Sequence, residues 1–362
     1  MKYLIQIDWL SIFCVYMPSD DWTPCDSTEF IYKKEDFGTR VFSRFYRVRT
    51  PNEEGGLDEF AEVQATPYSS ILPPYAVIVR FVNRVLYLPD FWERAGRFLE
   101  QNSFDCRGIS RVDICADFNE FAQINPKKLI EGFAAKKLRH IGRGVGALYF
   151  NHGKGAERDE SGRPLPDYGV NYTGLSFGTH SSDAHVYLYN KTFELNTQGD
   201  KPWIKDTWKS AGLDMRNVWR LEVSIKSQGL KFKDKTSGRV IEIDKDMIGE
   251  ESELTKIFHT FEKKLFAFII NKPKISNVSR EPRLVLFDDS PIYDRGIIRN
   301  ISPGNRMERI IIKTLYQYAD RYRGCYGVRE NAQGFAGHLA AATGLYDWLE
   351  FKKGEWETPI HK

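Results

Sequence analysis

Residues 110–118 read Ser-Arg-Val-Asp-Ile-Cys-Ala-Asp-Phe, a strict two-residue alternation. In a β-strand successive side chains point to opposite faces. Val112, Ile114, Ala116 and Phe118 therefore share an apolar face, and Arg111, Asp113, Cys115 and Asp117 a polar one. A chain with such a segment must build a sheet that packs on one side and keeps the other polar. The pattern returns at 218–226, where Arg220, Glu222, Ser224 and Lys226 oppose Trp219, Leu221, Val223 and Ile225. It returns again at 184–191, which groups His185, Tyr187, Tyr189 and Lys191.

The rest of the chain fits around these strands. Further strands are predicted over 3–16, 41–49, 59–66, 146–151 and 170–178, with 75–88 as a strand pair turning near Val82-Asn83. Helices are predicted over 89–101 and 125–139, the second opened by Asn125-Pro126. Residues 192–216 hold a helix or an irregular excursion, and 153–167, almost without hydrophobes, read as a loop. The expected fold class is α+β, a central mostly antiparallel sheet with helices on one side, not a doubly wound parallel sheet. After 228 the texture changes. A charged hairpin is expected over 231–245, an amphipathic helix over 251–271, a strand over 283–287, and helices over 305–323 and 333–349. The expected division is a catalytic, DNA-binding domain over 1–230 and a mostly helical region over 231–362 for DNA recognition or oligomerisation.

Composition narrows the function classes. Hydrophobic residues are 41% of the 362 and charged residues 28%, enough for a packed core. A net charge of +3 does not announce a nucleic-acid binder, although a basic face fits inside a balanced total. The five cysteines form no CxxC pair, so neither a zinc site nor a disulfide framework is indicated. No apolar run matches a membrane span and no leader pattern opens the chain, so a reducing cytoplasm is the expected compartment, with no membrane partner. Gly142, Gly144 and Gly146 lack the Lys-Ser/Thr of a phosphate loop, and no Gly-x-Ser-x-Gly elbow is present.

The polar faces carry the candidate chemistry. Asp113 and Asp117 share a face and are expected to serve one divalent cation. If the 218–226 strand is adjacent, Glu222 joins them in an oxygen cage suited to Mg²⁺ or Mn²⁺. The same acids equally fit cross-strand ion pairs on an open sheet face, with Arg111 neutralising Asp113. Tyr187 and Tyr189 share a face with Lys191, and a tyrosyl oxygen attacks a phosphodiester when a cation stabilises its phenolate. Both tyrosines are also ordinary strand formers. Cations cluster at Lys136, Lys137, Arg139, His140 and Arg143, and at Arg306, Arg309, Lys313, Arg321 and Arg323 among tyrosines. Each cluster fits DNA contact or a solvated helix surface.

In this order the segments resemble the Rep_trans-type replication initiation factor family, the initiators of rolling-circle plasmids and phages and related conjugative-element relaxases. The matching pieces are Ile7-Asp8-Trp9-Leu10-Ser11; Arg111-Val112-Asp113-Ile114 with Asp117; the run from Phe177 through His180 to Asp183; the run from Val186 to Lys191 with Glu194; and Trp219-Arg220-Leu221-Glu222. The resemblance implies a nickase that cuts one strand at an origin, single-stranded or extruded as a hairpin, and becomes joined to its 5′ phosphate. It implies Tyr189 as nucleophile with Tyr187 second, Lys191 at the scissile phosphate, and Asp113, Asp117 and Glu222 holding Mg²⁺ or Mn²⁺. Arg111, His180, Arg220 and Lys226 become DNA contacts, a host helicase a partner, and a homodimer an allowed assembly. His180 departs from the Arg or Lys expected in its segment. Two other readings stay open: a sequence-specific DNA-binding protein without chemistry, and a metal-dependent nuclease that uses water. Three acids near a DNA face repel phosphate without a cation, which disfavours the first.

Overall fold

A computed structural model describes residues 1–17, 22–68, 72–142, 144, 146–150, 172–179, 182–233, 240–272, 278–288 and 291–293. His180, Arg143, the 153–167 loop and the helices expected over 305–323 and 333–349, with their cations, lie outside the described residues.

The strands are β1 (Tyr3–Val15), β2 (Ile31–Lys34), β3 (Phe42–Pro51), β4 (Leu57–Pro67), β5 (Ala76–Phe81), β6 (Asp105–Phe118), β7 (Leu138–His140), β8 (Gly146–Phe150), β9 (Tyr172–Phe177), β10 (Ala184–Asn190), β11 (Trp219–Lys226), β12 (Lys231–Lys233), β13 (Val240–Glu242) and β14 (Phe268–Ile270). The helices are α1 (Phe91–Gln101), α2 (Pro126–Ala134), α3 (Lys191–Gln198), α4 (Pro202–Ser210), α5 (Lys245–Gly249) and α6 (Glu251–Leu265). Ten strands form one sheet in the order β2-β3-β4-β5-β1-β6-β11-β10-β9-β8. Every pairing in it is antiparallel. The chain is α+β, as expected.

The three strands that alternate most strictly, β6, β11 and β10, lie side by side in the sheet. Their apolar faces supply Val112, Ile114, Phe118, Leu221, Val223, Ile225, Val186 and Leu188 to the main core. Helices α1, α2 and α6 cover that side with Phe91, Phe98, Leu129, Ile130, Leu254, Ile257, Phe258 and Phe261. Helix α6, C-terminal to the break expected near 230, packs against β1, β6, β10 and β11 and belongs to the same core. Not every helix lies on that side. Leu195 of α3, with Ile204 and Trp208 of α4, forms a second cluster with Leu213, Val218 and Tyr87. Trp208 from this cluster reaches Asp117 on the polar face.

Some boundaries differ from the sequence reading. The segment 75–88 is one strand followed by a 3-10 turn over Asn83–Tyr87, not two strands. The turn directs Asn83 and Tyr87 onto Asp8. Helix α2 stops at Ala134; Lys136 takes a left-handed φ of 57° and β7 follows. Helix α6 stops at Leu265, because 268–270 pair with β7 as β14. The segment 192–216 holds two helices, and 283–287 contributes a single bridge, Arg283 to Ile269. No helix among the described residues is long and apolar enough to cross a membrane.

Candidate active site

The register of β10, β11 and β6 assembles the polar face. Tyr187 sits opposite Glu222, and Tyr189 opposite Arg220. Glu222 in turn sits opposite Cys115, Arg220 opposite Asp117, and Ser224 opposite Asp113. On the far side of β6, the pairing of β1 slips between Ile7 and Trp9. Asp8 is the extra residue of that bulge, and the bulge turns its carboxylate onto the same face.

Tyr189 is buried at 8% exposure, and its hydroxyl lies between an acid and a base partner. It donates to Glu222 Oε2 at 3.1 Å. Lys191 Nζ donates to the same hydroxyl at 3.4 Å. Lys191 is itself only 2% exposed and pairs with Glu194 Oε2 at 2.5 Å. Local sequence explains this placement. Asn190 caps α3 by accepting from Phe193 N at 2.8 Å, so the chain turns from strand to helix right after Tyr189. That turn folds Lys191 back beside the phenol. Tyr187 stacks on Tyr189 with centroids 4.6 Å apart and planes 24° apart. Gly174 on β9 makes room for it: a Cβ there would lie 2.7 Å from Tyr187 Cε2.

Burial sets the electrostatics. It pushes the Tyr189 phenol well above its ordinary value; the Glu222 carboxylate adds to this and Arg220 opposes it. Burial likewise takes Tyr187 up to about 12. Glu222 is raised to about 7, first by burial and then by the carboxylates of Asp8 and Asp113, against Arg220 and Lys191. A carboxyl that titrates near neutrality and already accepts the Tyr189 proton bond has the properties of a general base.

Arg220 is fully buried and fills its donors with protein partners. Nε and Nη2 reach the two Asp117 oxygens at 2.6 and 2.7 Å, and Nη1 reaches Asp8 Oδ1 at 2.5 Å. Trp208 Nε1 also donates to Asp117 Oδ2, at 2.7 Å. Asp8 further accepts from Tyr87 at 2.8 Å and from Asn83 at 3.0 Å. Burial alone would raise the Asp8 pKa, but Arg220, Lys191 and these two donors together hold it well below the carboxylate range.

The predicted site residues are thus partly brought together. Tyr187, Tyr189, Lys191 and Glu222 form one group. Asp113 is clamped by Arg111, Nε to Oδ1 at 2.9 Å and Nη2 to Oδ2 at 2.5 Å. Arg220 at 0% exposure presents no surface to DNA, which corrects the reading of it as a DNA contact. Asp113 and Asp117 are four residues apart on one strand, about 13 Å at 3.3 Å per residue, which corrects the expectation that they share an ion. With Asp117 held by Arg220 and Trp208, the trio Asp113, Asp117 and Glu222 does not fit a cage for Mg²⁺ or Mn²⁺ in this arrangement. Among the described residues no three His, Cys, Asp or Glu groups converge for a metal. Lys226 lies at the far end of β11, opposite Arg111. Asp8 had received no role, although an acid inside the apolar segment Ile5-Gln6-Ile7-Asp8-Trp9 was a visible signal. Tyr87, Asn83 and Trp208 carried no such signal, since only tertiary packing brings them in.

The antiparallel α+β sheet thus carries on its polar face a buried tyrosine hydroxyl between a carboxylate and an ammonium. No family model matches the chain. No curated protein matches it either. Among solved structures it is similar to the rolling circle replication initiator protein from Geobacillus stearothermophilus, with 13% identity and a TM-score of 0.42 over 78% of this chain and 92% of that one.

Proposed function

We propose that the chain is a DNA-nicking replication initiator or relaxase of the rolling-circle type, with Tyr189 as its nucleophile. The observation that carries the reading is the Tyr189 hydroxyl held at once by Glu222 and Lys191. Glu222 takes the phenolic proton. The phenolate oxygen attacks the phosphorus of a DNA phosphodiester, the O–P bond to tyrosine forms, and the bond to the 3′ oxygen breaks. The 3′ oxygen leaves as a hydroxyl after taking up a proton, and the 5′ phosphate stays on Tyr189. Lys191 stabilises the phenolate and the charge on the phosphoryl oxygens. Tyr187 sits opposite Glu222 but the hydroxyl bonds with Glu222 and Lys191 are made by Tyr189, so Tyr187 is the weaker candidate.

The resemblance also implies a divalent cation, Mg²⁺ or Mn²⁺, which would polarise the phosphate when bound. Two of its expected ligands, Asp113 and Asp117, are engaged by Arg111, Arg220 and Trp208, and the third, Glu222, by Tyr189, so the steps above use protein groups alone. A cleavage assay tests the reading. Single-stranded oligonucleotides from the chain's own replicon are incubated with protein, with and without Mn²⁺ and chelator. Strand cleavage with a protein-linked product, lost in Tyr189→Phe, supports it. Cleavage with no linked product supports a water-using nuclease, and binding without cleavage supports a non-catalytic DNA-binding protein.

A further inference from the structure

A cavity of about 310 Å³ opens at the end of β9, β10 and β11, where Tyr172, Asn190, Asn217 and Trp219 meet Lys127 at the start of α2 and Phe193 of α3. Its volume is at the small end of the range of ligand pockets, the size of one base or nucleoside rather than a longer ligand. Its chemistry is mixed in a particular way. Phe193 is 38% exposed. The same helix buries Lys191 and Leu195 on its other side, so packing does not require an aromatic at 193. The amides are fixed in direction. Asn217 Oδ1 accepts from Asn190 Nδ2 at 3.2 Å and from Trp219 Nε1 at 3.1 Å. Those two bonds turn the Asn217 amide so that its NH₂ points away from both donors. Asn190 Oδ1 is committed to the cap of α3. Lys127 is exposed and adds a cation at the rim.

Flat aromatic walls, an amide of fixed orientation and a cation at the rim match a nucleobase and its phosphate. The cavity lies at the end of the sheet: Asn190 follows Tyr189 directly in β10, and its side chain takes the opposite face from the phenol. We propose that this cavity holds one unpaired base of a DNA strand. Phe193 stacks on the base, Asn217 reads its edge, and Lys127 meets a backbone phosphate. That the strand is the one Tyr189 cuts rests on the tyrosine-nicking reading; the binding of a base does not.

The test uses the full chain and four fluorescein-labelled single-stranded oligonucleotides: dT12, dA12, dC12 and a mixed-sequence strand rich in guanine. Affinity is read by fluorescence anisotropy at two salt concentrations, and thermal melting checks folding. Phe193→Ala is expected to weaken binding of the preferred strand about tenfold, within the range of base–aromatic stacking. Asn217→Ala is expected to change the ranking of the four strands. Lys127→Gln is expected to weaken all four evenly and to flatten the salt dependence. If Phe193→Ala and Lys127→Gln melt like wild type and bind every strand as wild type does, the inference is overturned, and likewise if wild type binds none of them. A wild-type protein that forms the tyrosine adduct while Phe193→Ala binds and cleaves normally removes the pocket and keeps the nicking reading. Loss of binding in Phe193→Ala with no adduct in wild type does the reverse.

Discussion

Replacing Arg220 by methionine tests whether this arginine serves the fold. It is fully buried, and its partner Asp117 is 1% exposed. Asp8, its other partner, is largely enclosed, with a side-chain exposure of 17%. Methionine fills most of the volume but leaves both carboxylates without their cation. Breaking a buried pair in this way costs about 3–5 kcal/mol, because the remaining charge has no compensation. At about 2.1 cal/mol/K per residue, a chain of 362 residues shifts by roughly 1.3 °C per kcal/mol, so the melting temperature should drop by about 4–7 °C. Urea unfolding followed by circular dichroism measures the loss as a lower midpoint at unchanged slope. Adding Asp117→Asn to Arg220→Met should recover part of it, since one stranded charge is then neutral. An Arg220→Met protein within about 1 kcal/mol of wild type would refute the reasoning. It would restore Arg220 as a side chain available to DNA.

Further outcomes follow from the same geometry. Glu222 is raised to about 7 in the folded chain. Its contribution to stability is therefore present below its unfolded value and lost as pH rises toward 7, whereas ionised Glu222 is the form that accepts the proton. Wild-type stability should fall over that window while cleavage rises through it, and Glu222→Gln should flatten both profiles in parallel melting and cleavage series. Asp8 is depressed, so its contribution is present above the ordinary carboxylate value and lost as pH falls through its folded value; Asp8→Asn should be less stable than wild type at neutral pH and should narrow that gap in acid unfolding. Lys191→Met should lower the single-turnover cleavage rate by about 10²–10³ with less effect on DNA affinity, as expected for a donor that stabilises developing charge. Gly174→Ala should displace Tyr187 and cost about 1–3 kcal/mol in unfolding experiments, since the added Cβ meets Tyr187 and the Leu188 carbonyl within 3 Å.

The sheet was legible because β6, β10 and β11 alternate without a break, and each strand's polar residues were assigned to the face they occupy. The grouping of Tyr187 and Tyr189 followed from period two, whereas Lys191 opens α3 and reaches the phenol through the turn that Asn190 caps. Which acids pair with which cations was not legible. Asp117 and Arg220 become neighbours only through the β6–β11 register, and Arg220 meets Asp8 only because a bulge shifts β1. Asn83 and Tyr87 had strand-like neighbours, yet Asp8 draws them into a turn. In each case a buried charge found its partner through tertiary contacts that local periodicity does not encode. Glu222 lies on the face that period two assigns it, and its hydrogen bond from Tyr189 depends on the β10–β11 register.

The most direct test of the central claim is peptide mapping of the protein–DNA adduct. Wild-type protein is incubated with an oligonucleotide it cleaves, quenched, digested with protease and nuclease, and sequenced by mass spectrometry. The account predicts a nucleotide mass on the peptide 184–191, localised to Tyr189, absent in Tyr189→Phe and retained in Tyr187→Phe. A modification on Tyr187 or on a residue outside this strand, or efficient cleavage by Tyr189→Phe, would contradict it.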